Sequence, residues 1–583
     1  MTAPAHRETL SPGRPVSGMS ALGPSTHIDT FTRDWLPQAD QWPDLLLDRP
    51  EFQYPDFVNV AVELTDRIVE RGMGDRVALI GENRRRTYRE LTGWSNRIAR
   101  ALVEDYGIVS GARVLLRSGN NPAFAAAWLG VIKAGAVAVN SMPMLRTGEL
   151  AKMVDKAEIA LALCDSRIAD ELHVLARDSR FLKRVVCFDG TDGHNAELDR
   201  AALAKPADFE AVKTGRDDVA LLGFTSGTTG EAKATMHFHR DLLIIADGYA
   251  REVLGVTPDD VFIGSPPLAF TFGLGGLAVF PLRFGASVAL FENVTPANMM
   301  EMIAAHRATI CFTAPTAYRW MLTQEASADL SSLRIAVSAG ETLPAAIYEE
   351  WTRKTGIPIL DGIGSTEMLH IFVTNRLGDC APGSTGRPVG GYEARIVDDD
   401  MNEVPNGVAG RLAIRGPTGC RYLGGARQTV YVRDGWNLTG DSFYRDEEGR
   451  FHFGARTDDI ILSAGYNIAG PEVEAALLSH PDVLECAVIG AADPERGQIV
   501  QAHVVLKPGI IGDPVCAKRL QDHVKATIAP YKYPRSIEFC TDLPKTATGK
   551  IQRFKLKQSQ AEASTLPLSL SSAKSVGSSD RDL

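Results

Sequence analysis

Residues 221–233, Leu-Leu-Gly-Phe-Thr-Ser-Gly-Thr-Thr-Gly-Glu-Ala-Lys, gather hydroxyls, glycines and a cation behind an apolar run. Val219 to Phe224 suits a buried strand, and the chain beyond it turns on Gly227 and Gly230. Glycine lets a backbone bend tightly and bring its N–H groups against phosphate oxygens. Thr225, Ser226, Thr228 and Thr229 add hydroxyl donors and Lys233 adds positive charge, so the chemistry on offer is phosphate binding. The pattern is not the G-x-x-x-x-G-K-[ST] loop of common ATPases, because no Gly-Lys-Ser/Thr follows at the required spacing. A Ser/Thr-rich surface turn is the plainer alternative.

Asp361-Gly-Ile-Gly-Ser-Thr-Glu-Met-Leu-His370 is the second concentration of chemistry. Gly362 and Gly364 permit close approach to a flat ligand, and Thr366 and Glu367 supply a hydroxyl and a carboxylate. A carboxylate beside polyphosphate is unfavourable unless a cation lies between them, which makes Glu367 a candidate Mg²⁺ ligand, direct or through water. A helix N-cap with Glu in its first turn is the competing reading.

Together these stretches resemble the adenylate-forming enzymes: acyl-CoA synthetases, aryl-CoA ligases, luciferases and peptide-synthetase adenylation domains. Those families usually carry Pro at the position of Ala232 and Gly at that of Ala234. The resemblance implies the substrates ATP, Mg²⁺ and coenzyme A, with no tightly bound prosthetic group. It assigns ATP contacts to Gly340 and Glu341 of Ser338-Ala-Gly-Glu341, to Asp361, Gly362 and Ile363, to Asp441 of Thr439-Gly-Asp441 as ribose clamp, and to Arg456. Asp458 becomes a hinge, and Gly465 and Tyr466 line the coenzyme A tunnel, a plain linker turn being the alternative. Lys550, in Pro544-Lys-Thr-Ala-Thr-Gly-Lys550, becomes the catalytic cation beside Glu367 and Thr366. A carboxylate attacking an α-phosphate brings like charges within about 4 Å, a repulsion of roughly 4 kcal/mol at an effective dielectric near 20. A lysine between them offsets it most as charge builds up. The same motif has the Pro-x-x-x-x-Gly-Lys spacing of lysines that acetyltransferases modify and deacetylases restore in related ligases.

The continuation Ser-Thr-Glu-Met-Leu-His-Ile-Phe is similar to benzoate-type CoA ligases. Pro267-Leu-Ala-Phe-Thr-Phe-Gly-Leu-Gly275 corresponds to the wall of the family's acid pocket, and together with Asp-Gln-Trp-Pro43 it looks more like 2-aminobenzoate–CoA ligases. Phe270 and Phe272 could stack on an aromatic acid, with Thr271 and Gly273 beside them, or simply pack the core. Gly364 would leave room for a ring edge, and His370 could meet the carboxylate or an ortho substituent. The expected activity is ATP-dependent formation of an aryl-CoA thioester through acyl-AMP, with 2-aminobenzoate as first choice of acid and benzoate or another substituted benzoate as the alternative. An enzyme loading a separate carrier protein, or a non-catalytic binding descendant, are the other readings.

The elements that must position these residues alternate in type. Ala112–Arg117 reads as a strand, Asn121-Pro122 opens a helix with Phe124, Trp128, Leu129 and Ile132 as its stripe, Gly135 stops it, and 136–140 is the next strand. Such a βαβ unit implies a right-handed crossover and a parallel sheet. Residues 335–338 read as strand and 296–306 as helix. The fold class is therefore α/β: a flexible lead-in (1–25), a large N-terminal domain (26–455), a small mobile α+β domain (456–557) and a disordered tail (558–583). In the small domain, 469–478 and 516–528 read as helices, 483–490 and 499–506 as strands.

Length and charge set outer bounds. A chain of 583 residues exceeds one simple core. A net charge of -10 argues against general nucleic-acid binding. The eight cysteines form no C-x-x-C pair, which fits a reduced, cytoplasmic protein. Residues 124–139 are too short and too interrupted by Lys133 to span a bilayer, and no signal peptide is expected. His237 and His239 lack further ligands at zinc spacing, His239-Arg-Asp241 lacks the rest of a kinase, and Gly273-Leu-Gly-Gly276 fails the dinucleotide fingerprint.

Overall fold

A computed structural model of the chain describes residues 22–565 except 192–194, 226–231, 325–327, 426, 457–459, 464–465, 494–495, 529 and 546–550. The chain divides into two compact units between Phe453 and Gly454.

The βαβ segment shows how local sequence builds the first unit. Strand Arg113–Arg117 runs parallel to Val137–Ser141, and helix Pro122–Lys133 connects them. The Asn121 carboxamide accepts from the Phe124 N–H at 2.8 Å, capping the helix where Pro122 has no N–H to satisfy. Gly135 then takes φ +73°, which ends it. The anticipated apolar stripe is too narrow a description, since every residue of this helix is buried. Gly130 lets it approach helix Tyr88–Glu104 so closely that a Cβ there would lie 2.5 Å from Ile98. Lys133 is wholly enclosed too, its ammonium donating to Asn96 Oδ1 (2.6 Å) and pairing with Asp66 (2.7 Å).

Among the described residues the first unit has three sheets. A six-stranded sheet runs Arg184–Phe188, Leu161–Asp165, Arg113–Arg117, Val137–Ser141, Val219–Thr225, Lys233–Phe238, parallel except for the last, antiparallel pair. A nine-stranded sheet has a parallel centre that includes Val261–Gly264, Ile310–Thr313, Ile335–Ala339 and Ile359–Gly364, with antiparallel strands at both edges. Helices Tyr88–Glu104, Pro122–Lys133 and His239–Ile245 lie between these sheets in one apolar core that takes Leu116 and Ala138 from one sheet and Phe262, Ile310 and Val337 from the other. Helices Thr147–Ala157 and Asp170–Asp178 cover the outer face of the first sheet, and Met299–His306 and Ala345–Thr355 that of the second. Strands covered on both faces read as unbroken apolar runs, which is why 219–224 and 335–338 were legible. A smaller antiparallel sheet is built on Glu393–Val397, Gly410–Arg415 and Trp436–Arg445.

In the second unit, hairpin Val483–Asp493/Gly497–Leu506 and strand Ser536–Phe539 form a sheet with Ile460–Ser463 and Tyr466–Ala469. Helices Gly470–Leu478 and Pro514–Thr527 pack on it through Val473, Leu477, Leu520 and Val524.

Two boundaries need correction. Gly23 N–H donates to Asp217 and the Thr26 N–H to Asp218, so the lead-in is tied down before residue 25. At the other end, helix Arg553–Thr565 runs past 558, because Gln, Ala and Glu are good helix formers and extend a helix already nucleated. No helix among the described residues is long and apolar enough to cross a membrane.

Candidate active site

Strand Val219–Thr225 leads into the hydroxyl-rich loop and strand Lys233–Phe238 leads out of it, with Thr225 and Lys233 in register as cross-strand partners. The loop therefore joins two neighbouring positions on a sheet edge. Ser226, Gly227, Thr228, Thr229 and Gly230 themselves lie outside the described residues. Behind the loop, Thr235 Oγ1 shares a 2.9 Å hydrogen bond with His237 Nε2. Burial pushes the His237 imidazole down to about 3, so it is neutral and serves as an internal hydrogen-bonding group.

The segment Ser365–His370 connects antiparallel strands Ile359–Gly364 and Ile371–Thr374. It is a turn, with Leu369 N–H donating to Thr366 O, so the helix-cap reading fails. Leu369, 1% exposed, holds φ +74°, a left-handed conformation costly for a bulky side chain and one that clusters at functional sites. Gly223 allows this turn to sit against the phosphate-loop strand: a Cβ there would lie 2.8 Å from Thr366 Cγ2. Thr366, Gly223, Phe224, Phe270, Thr271 and Asn140 line one small cleft. The structure thus brings Thr366 together with the stem of the loop and the aromatic segment.

Glu367 has a partner that sequence reasoning missed. The Tyr422 hydroxyl donates to Glu367 Oε1 at 2.6 Å, and Ser365 Oγ lies 3.3 Å from the Tyr431 hydroxyl. Burial and the neighbouring carboxylate push the Tyr422 phenol far up, so it remains a donor. Tyr422 is held by a strap laid along the strand that leaves the loop: Met236 N–H donates to Arg421 O and Leu423 N–H to Ala234 O. Arg421, fully buried, pairs with Asp241 and stacks 4.1 Å from the Phe238 ring. Nothing in the local pattern Cys-Arg-Tyr-Leu marks this role; the signal lies in pairings across more than 180 residues. One Glu367 oxygen takes the phenol, and the carboxylate could hold a hard cation as well. A single carboxylate completed by substrate phosphates and water suits Mg²⁺.

In the segment expected to contact ATP, Gly340 takes φ +92° at the end of strand Ile335–Ala339, and Glu341 accepts from Thr316 Oγ1 at 2.7 Å. Asp361 pairs in register with Ser338, and full burial pushes its carboxyl up to about 8. Gly362 and Ile363 continue the same strand. Thr439-Gly-Asp441, expected as the ribose clamp, lies within a strand. It is a bulge inside strand Trp436–Arg445: Arg411 pairs with Ser442 and Ala413 with Leu438, leaving residues 439–441 opposite Leu412. Gly440 takes φ +78° there, and Asp441 N–H donates to Thr439 Oγ1.

The aromatic segment departs from expectation in detail. Phe270 lines the cleft, whereas Phe272 packs on Phe312 at 5.6 Å between ring centres. His370 sits in a nest of Tyr249, Phe272, Phe280 and Phe312, the nearest ring 4.6 Å away. Burial drives it down to about 3. Nε2 faces the Phe272 carbonyl at 3.4 Å, while the buried Nδ1 has no hydrogen-bond partner. The side-chain direction at Gly364 is filled by the His370 backbone, 2.6 Å from a Cβ placed there, so that glycine serves a chain crossing rather than a ring edge. Gly273 likewise admits the Pro267 carbonyl.

In the second unit, Arg456 and Tyr466 lie on strands whose side chains at these positions are outside the description, as are Asp458, Gly465 and Lys550 altogether. The feet of the Lys550 segment are well anchored. Lys545 and Ile551 form a β-bridge, Lys545 pairs with Glu485 at 2.7 Å, and Arg553 with Glu474 at 2.7 Å.

Comparison with known proteins agrees with this geometry. Residues 66–422 match the AMP-binding enzyme family and residues 472–550 the AMP-binding enzyme C-terminal domain. A benzoate–CoA ligase of Thauera aromatica is 37% identical over 87% of this chain and 97% of its own length. The crystal structure of an anthranilate CoA ligase with anthranoyl-AMP superposes with a TM-score of 0.84 at 34% identity, covering 89% of this chain and all of that one. A benzoate CoA ligase from Burkholderia xenovorans gives 0.78, also at 34% identity, over 86% and 99% of the two chains. The chain belongs to the adenylate-forming AMP-binding enzymes, in their aryl-CoA ligase branch. It is an acid–thiol ligase of the AMP-forming acyl-CoA synthetase type, with a binding site for ATP.

Proposed function

We propose that the acid is 2-aminobenzoate, and that the enzyme converts it through 2-aminobenzoyl-AMP to the coenzyme A thioester. The observation that carries this choice is His370. A neutral imidazole whose Nε2–H points to the Phe272 carbonyl presents Nδ1 as a buried acceptor among aromatic rings, which suits an ortho N–H₂ donor. Solved relatives that share the fold include an anthranilate ligase, and others are benzoate ligases. Benzoate, which lacks the donor, is the second reading.

In the first step a carboxylate oxygen of the acid attacks the α-phosphorus of ATP and pyrophosphate leaves. In the second, the coenzyme A sulfur attacks the acyl carbonyl and AMP leaves, the thiol proton passing to solvent. Thr225, the 226–230 backbone and Lys233 cradle phosphates; Asp441 and Arg456 hold the ribose and phosphate; Glu367 would hold Mg²⁺ beside Thr366. Lys550 supplies charge in the first step, Asp458 is the hinge between steps, and Gly465 and Tyr466 border the thiol path. Acetylation at Lys550 would remove the charge that the first step needs, making a lysine acetyltransferase and a deacetylase its regulatory partners. All eight cysteines are unpaired, which supports a cytoplasmic setting.

A panel of ring-substituted and aliphatic acids, assayed by mass spectrometry for CoA thioesters, tests the reading. The expected result is highest kcat/KM for 2-aminobenzoate, with a larger loss for it than for benzoate in His370→Ala. Preference for an aliphatic acid would sink the aryl assignment, and equal losses for both aryl acids would sink the role of His370.

A further inference from the structure

Helix Tyr88–Glu104 contains, as its sixth residue, a glycine that no close packing explains. Gly93 lies inside the helix, beyond its first turn, where a glycine costs about 1 kcal/mol relative to alanine. A Cβ there would touch only Ala207, at 3.4 Å, an ordinary contact. The space that Gly93 leaves is the floor of a cavity of about 400 Å³ between this helix, strand Arg85–Thr87 and helix Glu197–Leu203.

The walls carry four arginines: Arg84, Arg86, Arg89 and Arg97. Arg86, 7% exposed, stacks its guanidinium 4.2 Å from the Trp94 ring, and Arg97 is fixed by an Nε–H bond to Lys205 O. Arg89 pairs at 3.2 Å with Asp75, whose side chain is almost fully exposed. The two carboxylates on the wall both accept from backbone amides. Glu90 accepts from Thr87 N–H at 2.7 Å as a helix cap, and Asp199 from Asp189 N–H and Ala196 N–H. The lining counts four arginines against two carboxylates, with Leu203 and Ala202 as its apolar residues. None of these elements carries a residue assigned to ATP, acid or coenzyme A.

We infer that this cavity is a second ligand site, distinct from the catalytic one, for a phosphate monoester carrying a flat ring. The reasons are chemical. Guanidinium forks match phosphate oxygens in bidentate geometry, the arginine excess matches a dianion, the apolar residues suit a ring, and the volume lies in the range of small-molecule sites. An adenine nucleotide and the 3′-phosphorylated adenosine end of coenzyme A share this chemistry.

Gly93→Leu tests the idea without removing a charge. It fills the floor and replaces glycine with a strong helix former, so the fold should be as stable as before or more so, and kcat should not change. Equilibrium dialysis of the full chain with labelled AMP should show a catalytic-site class and a second class in the wild type. Gly93→Leu should lose only the second, and the double variant Arg84→Gln/Arg97→Gln should weaken it at least about tenfold. Displacement of the second class by adenosine 3′,5′-bisphosphate more readily than by AMP would assign the coenzyme A end as its source. Equal displacement by orthophosphate would overturn the ring requirement. A single binding class in the wild type, or a second class that persists in Gly93→Leu, would overturn the site.

Discussion

Tyr422 and Asp361 show what burial does to single side chains in this site. The phenol of Tyr422 stays protonated and gives one hydrogen bond to Glu367 at 2.6 Å. A bond to a charged acceptor contributes about 1.5–3 kcal/mol, so Tyr422→Phe should lower kcat/KM roughly tenfold and raise the Mg²⁺ concentration for half-maximal rate. A Mg²⁺ titration of the two proteins decides; an unchanged midpoint would show that Glu367 is oriented without the phenol. Asp361 behaves oppositely to a surface carboxylate. Its folded-state value is raised to about 8 from 3.8, so the native chain holds a proton that the unfolded chain releases. Its contribution to stability is fully present below pH 4 and is lost as pH rises toward 8, by at most about 1.4 kcal/mol per unit. Asp361→Asn removes that dependence. Thermal melts from pH 5 to 8 should show the wild type losing Tm relative to the variant, and parallel curves would refute the assignment.

At the scale of elements, the readable and the unreadable parts separate by range. The run 219–225, the capped helix after Asn121 and the strand at 335 are encoded by neighbours: apolar continuity, a cap, a proline, a glycine stop. The bulge at Thr439-Gly-Asp441, the left-handed Leu369 and the strap that carries Tyr422 are imposed by partners distant in sequence, and short-range pattern carries no trace of them. Gly364 illustrates the difference, since its glycine was legible but its reason, a crossing by the His370 backbone, was not. The bulge makes a testable claim. Gly440 at φ +78° admits Ala only with strain, and Gly440→Ala should cost about 1 kcal/mol or more and displace Asp441. ATP affinity should then fall more than affinity for the acid, as isothermal titration with each can show. Equal losses would mean general unfolding rather than a displaced ribose contact.

For the whole molecule, the division between Phe453 and Gly454 sets most of the proposed catalytic groups on one unit and Lys550, the proposed catalytic cation, on the other. Lys550→Ala should abolish most acyl-AMP formation while sparing thioester formation from supplied acyl-AMP. Asp458→Pro should do the reverse, because a fixed φ opposes rotation at the hinge. Separate assays of pyrophosphate release and of thioester release measure the two steps, and equal damage to both in either variant would contradict the division of labour. Because Thr225 and Lys233 face each other across a single antiparallel pair, the phosphate loop is inserted between fixed posts. A change confined to the loop leaves the two posts paired, so a homologous loop should be exchangeable between them as a cassette. Variation in nucleotide handling is thereby uncoupled from folding, and selection can act on the one without jeopardising the other.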